Sequence, residues 1–153
     1  MKFILTAGYK ISRLINKIFK PTTVGVRAII VNEKNEVLLV KQTYMQKLFF
    51  PGGKIKKGET HEIAVKRELA EEVGYIPENI ELFGVYNNFL QGKNDSVVVF
   101  ICKKGHFTTD PKSFEIDYFN FYDILNLPED ISTGTQNRIN EYLNNDLIRF
   151  GIW

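Results

Sequence analysis

Residues 51–75 read P-G-G-K-I-K-K-G-E-T-H-E-I-A-V-K-R-E-L-A-E-E-V-G-Y, a glycine-rich loop that runs into a predicted helix. It begins with the turn Gly52-Gly53, where the missing side chains allow backbone conformations that other residues resist. Thr60 is a candidate helix N-cap, and the following pattern predicts a helix that ends near Val73, with Gly74 as its stop. We expect the rest of the chain to be the scaffold for this loop and helix.

Three carboxylates are expected to project from one face of this helix. Glu68, Glu71 and Glu72 are spaced i, i+3 and i+4, and each helical residue is rotated by about 100° from the last. Arg67 alone lies among them, so the usual alternation of charges does not neutralise this face, although a solvated acidic face is the common alternative. Carboxylates beside a glycine-rich turn are typical ligands of a hard cation such as Mg²⁺, and Mn²⁺ suits similar ligands. Such a cation indicates phosphate chemistry.

Composition narrows the class of protein. The 153 residues fit one domain, and 44% hydrophobic content is enough for a core. A net charge of +2 gives no reason to expect a nucleic acid polymer as partner. The single cysteine, Cys102, excludes an internal disulfide and fits a reducing compartment. Because we find neither a membrane-span pattern nor a signal peptide pattern, we expect a cytoplasmic protein.

Residues 1–20 predict a basic amphipathic helix ahead of a domain that spans 21–153. Apolar residues recur there at spacings of three, four and seven, and cationic residues occupy much of the remaining surface. The apolar stripe packs either on the domain or on a partner subunit, as in a homodimer. The alternative is attachment to an anionic membrane surface. We favour packing, because one such helix without a lipid anchor binds membranes weakly.

Strand patterns lie on both sides of the central helix. The near-continuous apolar run at 96–103 is expected to be a central strand. A last helix is predicted over 136–145, after a start signal at 132–135. The other predicted strands are 23–31, 36–42, 80–90 and 114–121.

Two cations fall within these apolar strands. Arg27 and Lys41 are each either a surface residue or a pocket residue that contacts a phosphate.

The central stretch resembles the signature of the Nudix hydrolases. That signature is Gly, five residues, Glu, seven residues, Arg-Glu, an aliphatic residue, any residue, Glu-Glu, any residue, Gly and an aliphatic residue. Every glycine and charged position is present, and Tyr75 at the last position is the one departure. The resemblance implies an α/β (α+β) fold, an α/β/α sandwich around a mixed β-sheet, with the N-terminal helix outside it. The signature falls on Gly53, Glu59, Arg67-Glu68, Leu69, Glu71-Glu72, Gly74 and Tyr75.

The resemblance also implies roles for the matched residues. Glu68, Glu71 and Glu72 are expected to bind Mg²⁺, with Mn²⁺ as the alternative, and Glu68 is also a candidate general base. Glu59 and Arg67 are expected to form an ion pair that orients Glu68.

Further ligands are expected from outside the helix. Either Gly52 or Gly53 is expected to offer a carbonyl oxygen to the metal. Family members often add an acidic residue from elsewhere, for which Glu115 and Asp117 are the candidates here.

The lysines of the run K-I-K-K are a departure, because many family members carry an acidic residue where Lys56 stands. Lys54, Lys56 and Lys57 form either a solvated cluster or a surface that attracts a polyphosphate. Lys54 is the best placed of the three.

The resemblance implies a Mg²⁺-dependent pyrophosphohydrolase that cleaves a nucleoside diphosphate linked to another group. Both a nucleoside triphosphate and ADP-ribose or another nucleotide sugar stay open as substrates. The alternatives are a non-catalytic nucleotide-binding module, which usually lacks the acidic residues, and an allylic diphosphate isomerase, which typically needs a cysteine in its pocket. Candidate substrate contacts, besides Arg27, Lys41 and Lys54, are Phe49, Tyr86, Asn87, Asn88, Phe89 and Phe119.

Overall fold

The computed structural model describes residues 22–89, 94–108, 111, 113–145 and 149–153. The predicted N-terminal helix and its boundary with the domain lie outside these residues and stay predictions. The described elements are β1 (Thr22–Ile30), β2 (Glu36–Gln42), β3 (Leu48–Phe49), α1 (His61–Val73), β4 (Tyr75–Pro77), β5 (Glu81–Asn88), β6 (Asn94–Cys102), β7 (Gly105–Phe107), β8 (Ile116–Asp123), α2 (Thr133–Leu143) and β9 (Arg149–Ile152).

The strands form one mixed sheet and two smaller antiparallel sheets. The mixed sheet has the order β1-β6-β5-β9, in which β1 pairs with β6 in parallel and β6 pairs with β5 in antiparallel orientation. The second sheet has the order β3-β2-β8, and β4 pairs with β7. The apolar run at 96–103 does lie in a central strand, since β6 has a neighbour on each side. The sequence patterns missed β3, β4, β7 and β9, which are too short, at two to four residues, to show alternation.

Alternating side chains of β1 enter two cores on opposite faces of the sheet. Val26 and Ala28 pack with Leu69 of α1 in one core. Ile29 packs with Ile139 of α2 in the other. Because successive strand residues point to opposite faces, one strand serves both cores. Helices therefore cover both faces, and the expected α/β/α sandwich is confirmed.

Both ends of α1 have the caps that the sequence predicts. The Thr60 hydroxyl accepts a hydrogen bond from the Ile63 N–H at 3.2 Å. Gly74 has φ = 67°, in the left-handed region, and its N–H donates to the Leu69 carbonyl. Among the described residues, no helix is both long and apolar enough to cross a membrane.

The glycine turn lies directly against β1. The Ala28 N–H donates to the Pro51 carbonyl at 3.0 Å, and the Val26 N–H donates to the Gly53 carbonyl at 2.9 Å. Gly52 has φ = 135°, and a Cβ there would lie 2.2 Å from the Val26 carbonyl oxygen. The turn is therefore held at the sheet surface by backbone contacts that a side chain at residue 52 would break.

A buried arginine fastens the C-terminal strand to α2. Arg138 is 4% exposed, and its guanidinium lies 4.0 Å from the centre of the Tyr86 ring. It donates to the Ile152 carbonyl at 3.1 Å and to Glu141 at 2.7 Å. The Tyr86 hydroxyl also donates to Glu141, at 2.6 Å. This network links β5, α2 and β9, and it buries Tyr86, which we had considered as a substrate contact.

We expect Arg138→Ala to lower the free energy of unfolding by about 3 kcal/mol, because it removes one partner of a largely buried ion pair and leaves a cavity. Lys103→Ala is the matched control, since its ion pair with Glu81 is exposed on both sides. The control should cost less than about 1 kcal/mol. Urea denaturation measures both, and equal losses would contradict the structural role of Arg138.

Candidate active site

Glu72 is the buried acid of the site. It is 6% exposed, and its carboxylate accepts the Gly52 N–H at 2.7 Å. Burial raises the pKa of Glu72 to about 7, whereas Arg27 and the Gly52 hydrogen bond act in the opposite direction. Glu68 and Glu115 raise the pKa further, so both carboxylates lie close enough to repel it. Burial therefore favours the protonated form of Glu72, and a cation placed beside it would favour the ionised form.

Arg67 connects the other carboxylates. Its Nε and Nη2 donate to the two oxygens of Glu59 at 2.6 and 2.9 Å, which is the ion pair implied by the resemblance. Its Nη1 donates to Glu68 at 2.7 Å and to Glu71 at 3.2 Å, and its Nη2 also reaches the Lys54 carbonyl at 3.1 Å. The hydrogen bond from Arg67 is the main reason that the pKa of Glu59 falls to about 2. Arg67 thus ties the loop to the helix and holds the Glu68 carboxylate.

Gly53 makes room for the Glu68 carboxylate. A Cβ on Gly53 would lie 2.6 Å from that carboxylate. The Gly53 carbonyl accepts the Val26 N–H, and the Gly52 carbonyl accepts a hydrogen bond from Arg27. Each carbonyl oxygen has a second lone pair, so a metal contact at either glycine stays a prediction.

The Arg27 side chain holds the glycine turn through hydrogen bonds to its backbone. Its Nη1 donates to the Gly52 carbonyl and to the Phe50 carbonyl, the latter at 3.3 Å. Its charge also lowers the pKa of Glu72. These contacts explain an arginine in an apolar strand, and the expected phosphate contact of Arg27 stays a prediction.

Tyr44 joins the site, although sequence reasoning missed it. Its hydroxyl donates to the Glu115 carboxylate at 3.2 Å, and the Thr43 N–H donates to the Glu115 carbonyl at 2.8 Å. Burial raises the pKa of Tyr44, with Glu115 and Glu72 acting in the same direction. Glu115, one of the two acidic candidates outside the signature, also acts electrostatically on Glu72. The sequence contains little to identify Tyr44 as a site residue, because it is a single tyrosine just after β2.

Other predicted substrate contacts have protein contacts of their own, and their roles in substrate binding stay predictions. The Lys41 ammonium pairs with Asp130 at 2.8 Å and donates to the Gln46 carbonyl. Phe49 packs against the core beneath α1, and the Asn87 carbonyl accepts the Trp153 N–H at 2.9 Å. The structure brings Arg27 to the carboxylates but gives Lys41, Phe49 and Asn87 other contacts. Lys54 is exposed beside Gly53, and Asp117 is exposed on β8.

The donor set fits a hard divalent cation. Within the described residues, no three acidic, histidine or cysteine side chains converge closely enough to hold a metal ion. Arg67 bonds both Glu68 and Glu71, so these two carboxylates face a guanidinium. The donors present are carboxylate and carbonyl oxygens, which Mg²⁺ and Mn²⁺ prefer. A metal at Glu72 stays a prediction, which the buried position of this carboxylate beside the glycine turn makes worth testing.

Residues 21–140 match the family described as the NUDIX domain. The chain belongs to the NUDIX domain family. The match covers most of the chain, including the glycine turn, α1 and the strands that hold them.

A curated protein resembles the chain in sequence, and solved structures resemble it in fold. An 8-oxo-dGTP diphosphatase of Escherichia coli (strain K12) is 51% identical over 59 residues, which are 36% of this chain and 46% of that protein. The chain thus spans less than half the length of this curated relative. The MutT NUDIX hydrolase structure from Burkholderia pseudomallei has a TM-score of 0.71 at 23% identity and covers 78% of this chain and 97% of that one. A MutT protein structure from Bacillus halodurans has a TM-score of 0.69 at 25% identity, with 84% and 86% covered.

We expect Glu72 to make the metal-free protein less stable as the pH rises. Its pKa is raised from 4.5 to about 7 on folding. The folded state therefore keeps a proton that the unfolded state loses. The stabilisation is complete below pH 4.5 and is lost as the pH rises through about 7. Its size is about 3 kcal/mol.

Urea denaturation in a metal-free buffer series measures this effect. As the pH rises from 4.5 through about 7, the free energy of unfolding of wild type should fall by up to about 3 kcal/mol more than that of Glu72→Gln. Glu62→Gln, an exposed change in the first turn of α1, should follow wild type. If the free energy of unfolding of wild type and of Glu72→Gln changed equally with pH, the pKa of Glu72 would not be raised on folding.

The two glycines of the turn should respond differently to alanine. Gly53→Ala meets the end of a flexible glutamate side chain, so the protein should fold but displace the Glu68 carboxylate. Gly52→Ala meets the β1 backbone at a positive φ, so it should unfold the turn and cost more than about 2 kcal/mol. Urea denaturation and Mn²⁺ binding measure the two effects. The expectation fails if Gly53→Ala binds Mn²⁺ like wild type.

Proposed function

We propose that the chain is a divalent-metal-dependent pyrophosphohydrolase that cleaves a nucleoside diphosphate linked to another group. The observation that carries this proposal is the buried Glu72, whose carboxylate lies beside the glycine turn and close enough to Glu68 and Glu115 to be repelled by them. Membership of the NUDIX domain family supports the reaction class.

A nucleoside triphosphate is the substrate class that we place first. The relative from Escherichia coli is named an 8-oxo-dGTP diphosphatase, and its aligned segment is 51% identical. An oxidised or unmodified purine nucleoside triphosphate is therefore the first substrate to examine. ADP-ribose and other nucleotide sugars are the second class.

A bound divalent metal would supply positive charge and would activate a water molecule. Glu68 and Glu72 would hold Mg²⁺ or Mn²⁺, with Glu71, Glu115 and a carbonyl of the glycine turn as further donors.

Three charged side chains hold the metal-binding groups in position. Arg67 fixes the Glu68 carboxylate, which leaves Glu68 placed to accept a proton from the attacking water. Glu59 fixes Arg67 in turn through two hydrogen bonds. Arg27 holds the carbonyl of Gly52, so the turn stays beside Glu72.

The observations disfavour the two alternatives. A non-catalytic binding module would have no need for the acidic residues, and all of them are present with Arg67 holding two. An allylic diphosphate isomerase would need a reactive cysteine. Cys102 is fully buried in the core beneath α1, and burial raises the pKa of its thiol to about 12. A thiol with that pKa stays protonated and unreactive at neutral pH.

We expect Glu72→Gln to lower kcat at least about 100-fold while the protein stays folded, because it removes the buried negative donor. Release of pyrophosphate or phosphate from nucleoside triphosphates, and formation of AMP and ribose 5-phosphate from ADP-ribose, measure the effect with and without Mg²⁺. Chelation should abolish the wild-type activity.

Glu62→Gln serves again as the control, because it removes one exposed charge from the same helix and should retain activity. A folded Glu72→Gln protein with wild-type turnover would overturn the proposed function. Wild-type protein that binds nucleotides but hydrolyses none of them would support the binding module instead.

A further inference from the structure

A cleft lies next to the candidate active site and is not part of it. Its volume is about 340 Å³, and its lining residues are Thr22–Val24 on one side and Lys54–Lys57 on the other. That volume is at the low end for small-molecule sites, so the cleft suits a short chain of phosphates better than a whole nucleotide. We call it the lysine cleft.

The charges around the lysine cleft favour an anion. Lys54, Lys56 and Lys57 are exposed on a single short loop. Lys56 lies 3.8 Å from Glu71 with both side chains solvated, which is a weak pairing. Among the described residues, no carboxylate lies within ion-pair distance of Lys54 or Lys57. Three ammonium groups around one small cleft therefore carry more positive charge than their surroundings neutralise.

The opposite wall is held by polar contacts of its own. The Thr23 hydroxyl donates to the Asp95 carboxylate, and the Asn94 amide donates to the Thr22 hydroxyl at 2.8 Å. Asp95 is thus engaged with β1. These side-chain contacts join the threonine side of the cleft to β6 and involve none of the lysines.

The loop that carries the lysines has a fixed backbone. The Ile55 N–H donates to the Val24 carbonyl at 3.1 Å, and the Lys56 N–H donates to Glu59 at 2.8 Å. Arg67 holds the Lys54 carbonyl. A ligand in the cleft therefore has to order only the lysine side chains, which lowers the entropic cost of binding.

The loop that lines the lysine cleft also contacts two carboxylates of α1. Gly53, next to Lys54, packs against the Glu68 carboxylate, and Lys56 reaches Glu71. A phosphate chain that extends from these carboxylates along the loop would therefore meet Lys56, and an acidic side chain at residue 56 would repel it.

We propose that the lysine cleft binds the part of a polyphosphate chain that lies beyond the scissile bond, and so selects substrates with an extended phosphate chain over those that end in a sugar. This inference rests on the proposed function for its place in catalysis. The binding of a polyphosphate does not depend on turnover and is tested separately.

Calorimetric titration of inorganic tripolyphosphate into the metal-free full-length chain tests the binding. The Lys56→Glu/Lys57→Glu double variant should bind at least about tenfold more weakly than wild type, because it loses two charge-assisted contacts. Lys66→Glu/Lys103→Glu is the matched control. It makes the same change in net charge at lysines whose carboxylate partners are Glu62 and Glu81. The control should stay within about twofold of wild type, and thermal melts should show that both variants fold.

Steady-state kinetics with Mg²⁺ tests the selectivity. In the Lys56→Glu/Lys57→Glu variant, the ratio of kcat/KM for a nucleoside triphosphate to that for ADP-ribose should fall about tenfold, mainly through the KM of the triphosphate. In the Lys66→Glu/Lys103→Glu control, this ratio should not change.

The two proposals fail in different ways. Equal tripolyphosphate affinity in wild type and both double variants, or equal weakening in both variants, would overturn the lysine cleft even if the enzyme is active. A wild-type protein that hydrolyses no nucleotide would overturn the proposed function, and a tenfold loss of tripolyphosphate binding confined to Lys56→Glu/Lys57→Glu would still support the cleft.

Discussion

The hydrogen bonds of one guanidinium organise the site. Arg67 donates to Glu59, Glu68 and Glu71 and to the Lys54 carbonyl, so one side chain joins the loop to three positions on or before α1. Only the planar fork of an arginine reaches partners in several directions at once, and a lysine would supply one point charge. The loop that bears the lysine cleft and the helix that bears the carboxylates therefore depend on the same residue.

Glu72 stands outside this network, and that separation gives the site two kinds of acid. The pKa of Glu59 falls to about 2 because Arg67 bonds it, whereas burial raises the pKa of Glu72 to about 7. Arg27 and the Gly52 N–H offset the burial only in part. Glu59 is thus ionised at neutral pH and pairs with Arg67. Glu72 is a buried carboxylate whose ionised form a cation would stabilise.

Local chemistry explains what the sequence could predict, and long-range contacts explain what it could not. Helical spacing and caps predict α1 and its acidic face, since these depend on residues within a few positions of each other. The hydrogen bond from Tyr44 to Glu115 joins residues 71 positions apart. The sequence around Tyr44 and the sequence around Glu115 give no sign of this hydrogen bond. Lys41 shows the same limit, because its partner Asp130 lies 89 positions away, and the strand pattern alone left its contact open.

The glycine-rich loop contacts both the sheet and the proposed phosphate-binding cleft. Its backbone pairs with β1, and its side chains form one wall of the lysine cleft. The carboxylates of the signature and the three lysines of the cleft therefore come from one continuous stretch, 54–72, whereas Arg27, Glu115 and the threonine side of the cleft come from other segments. Selection of the remaining part of the substrate must come from elsewhere, because that stretch spans only the length of a loop and a helix. Tyr44, next to Glu115 and distant in sequence, shows that the fold brings other segments to the same place.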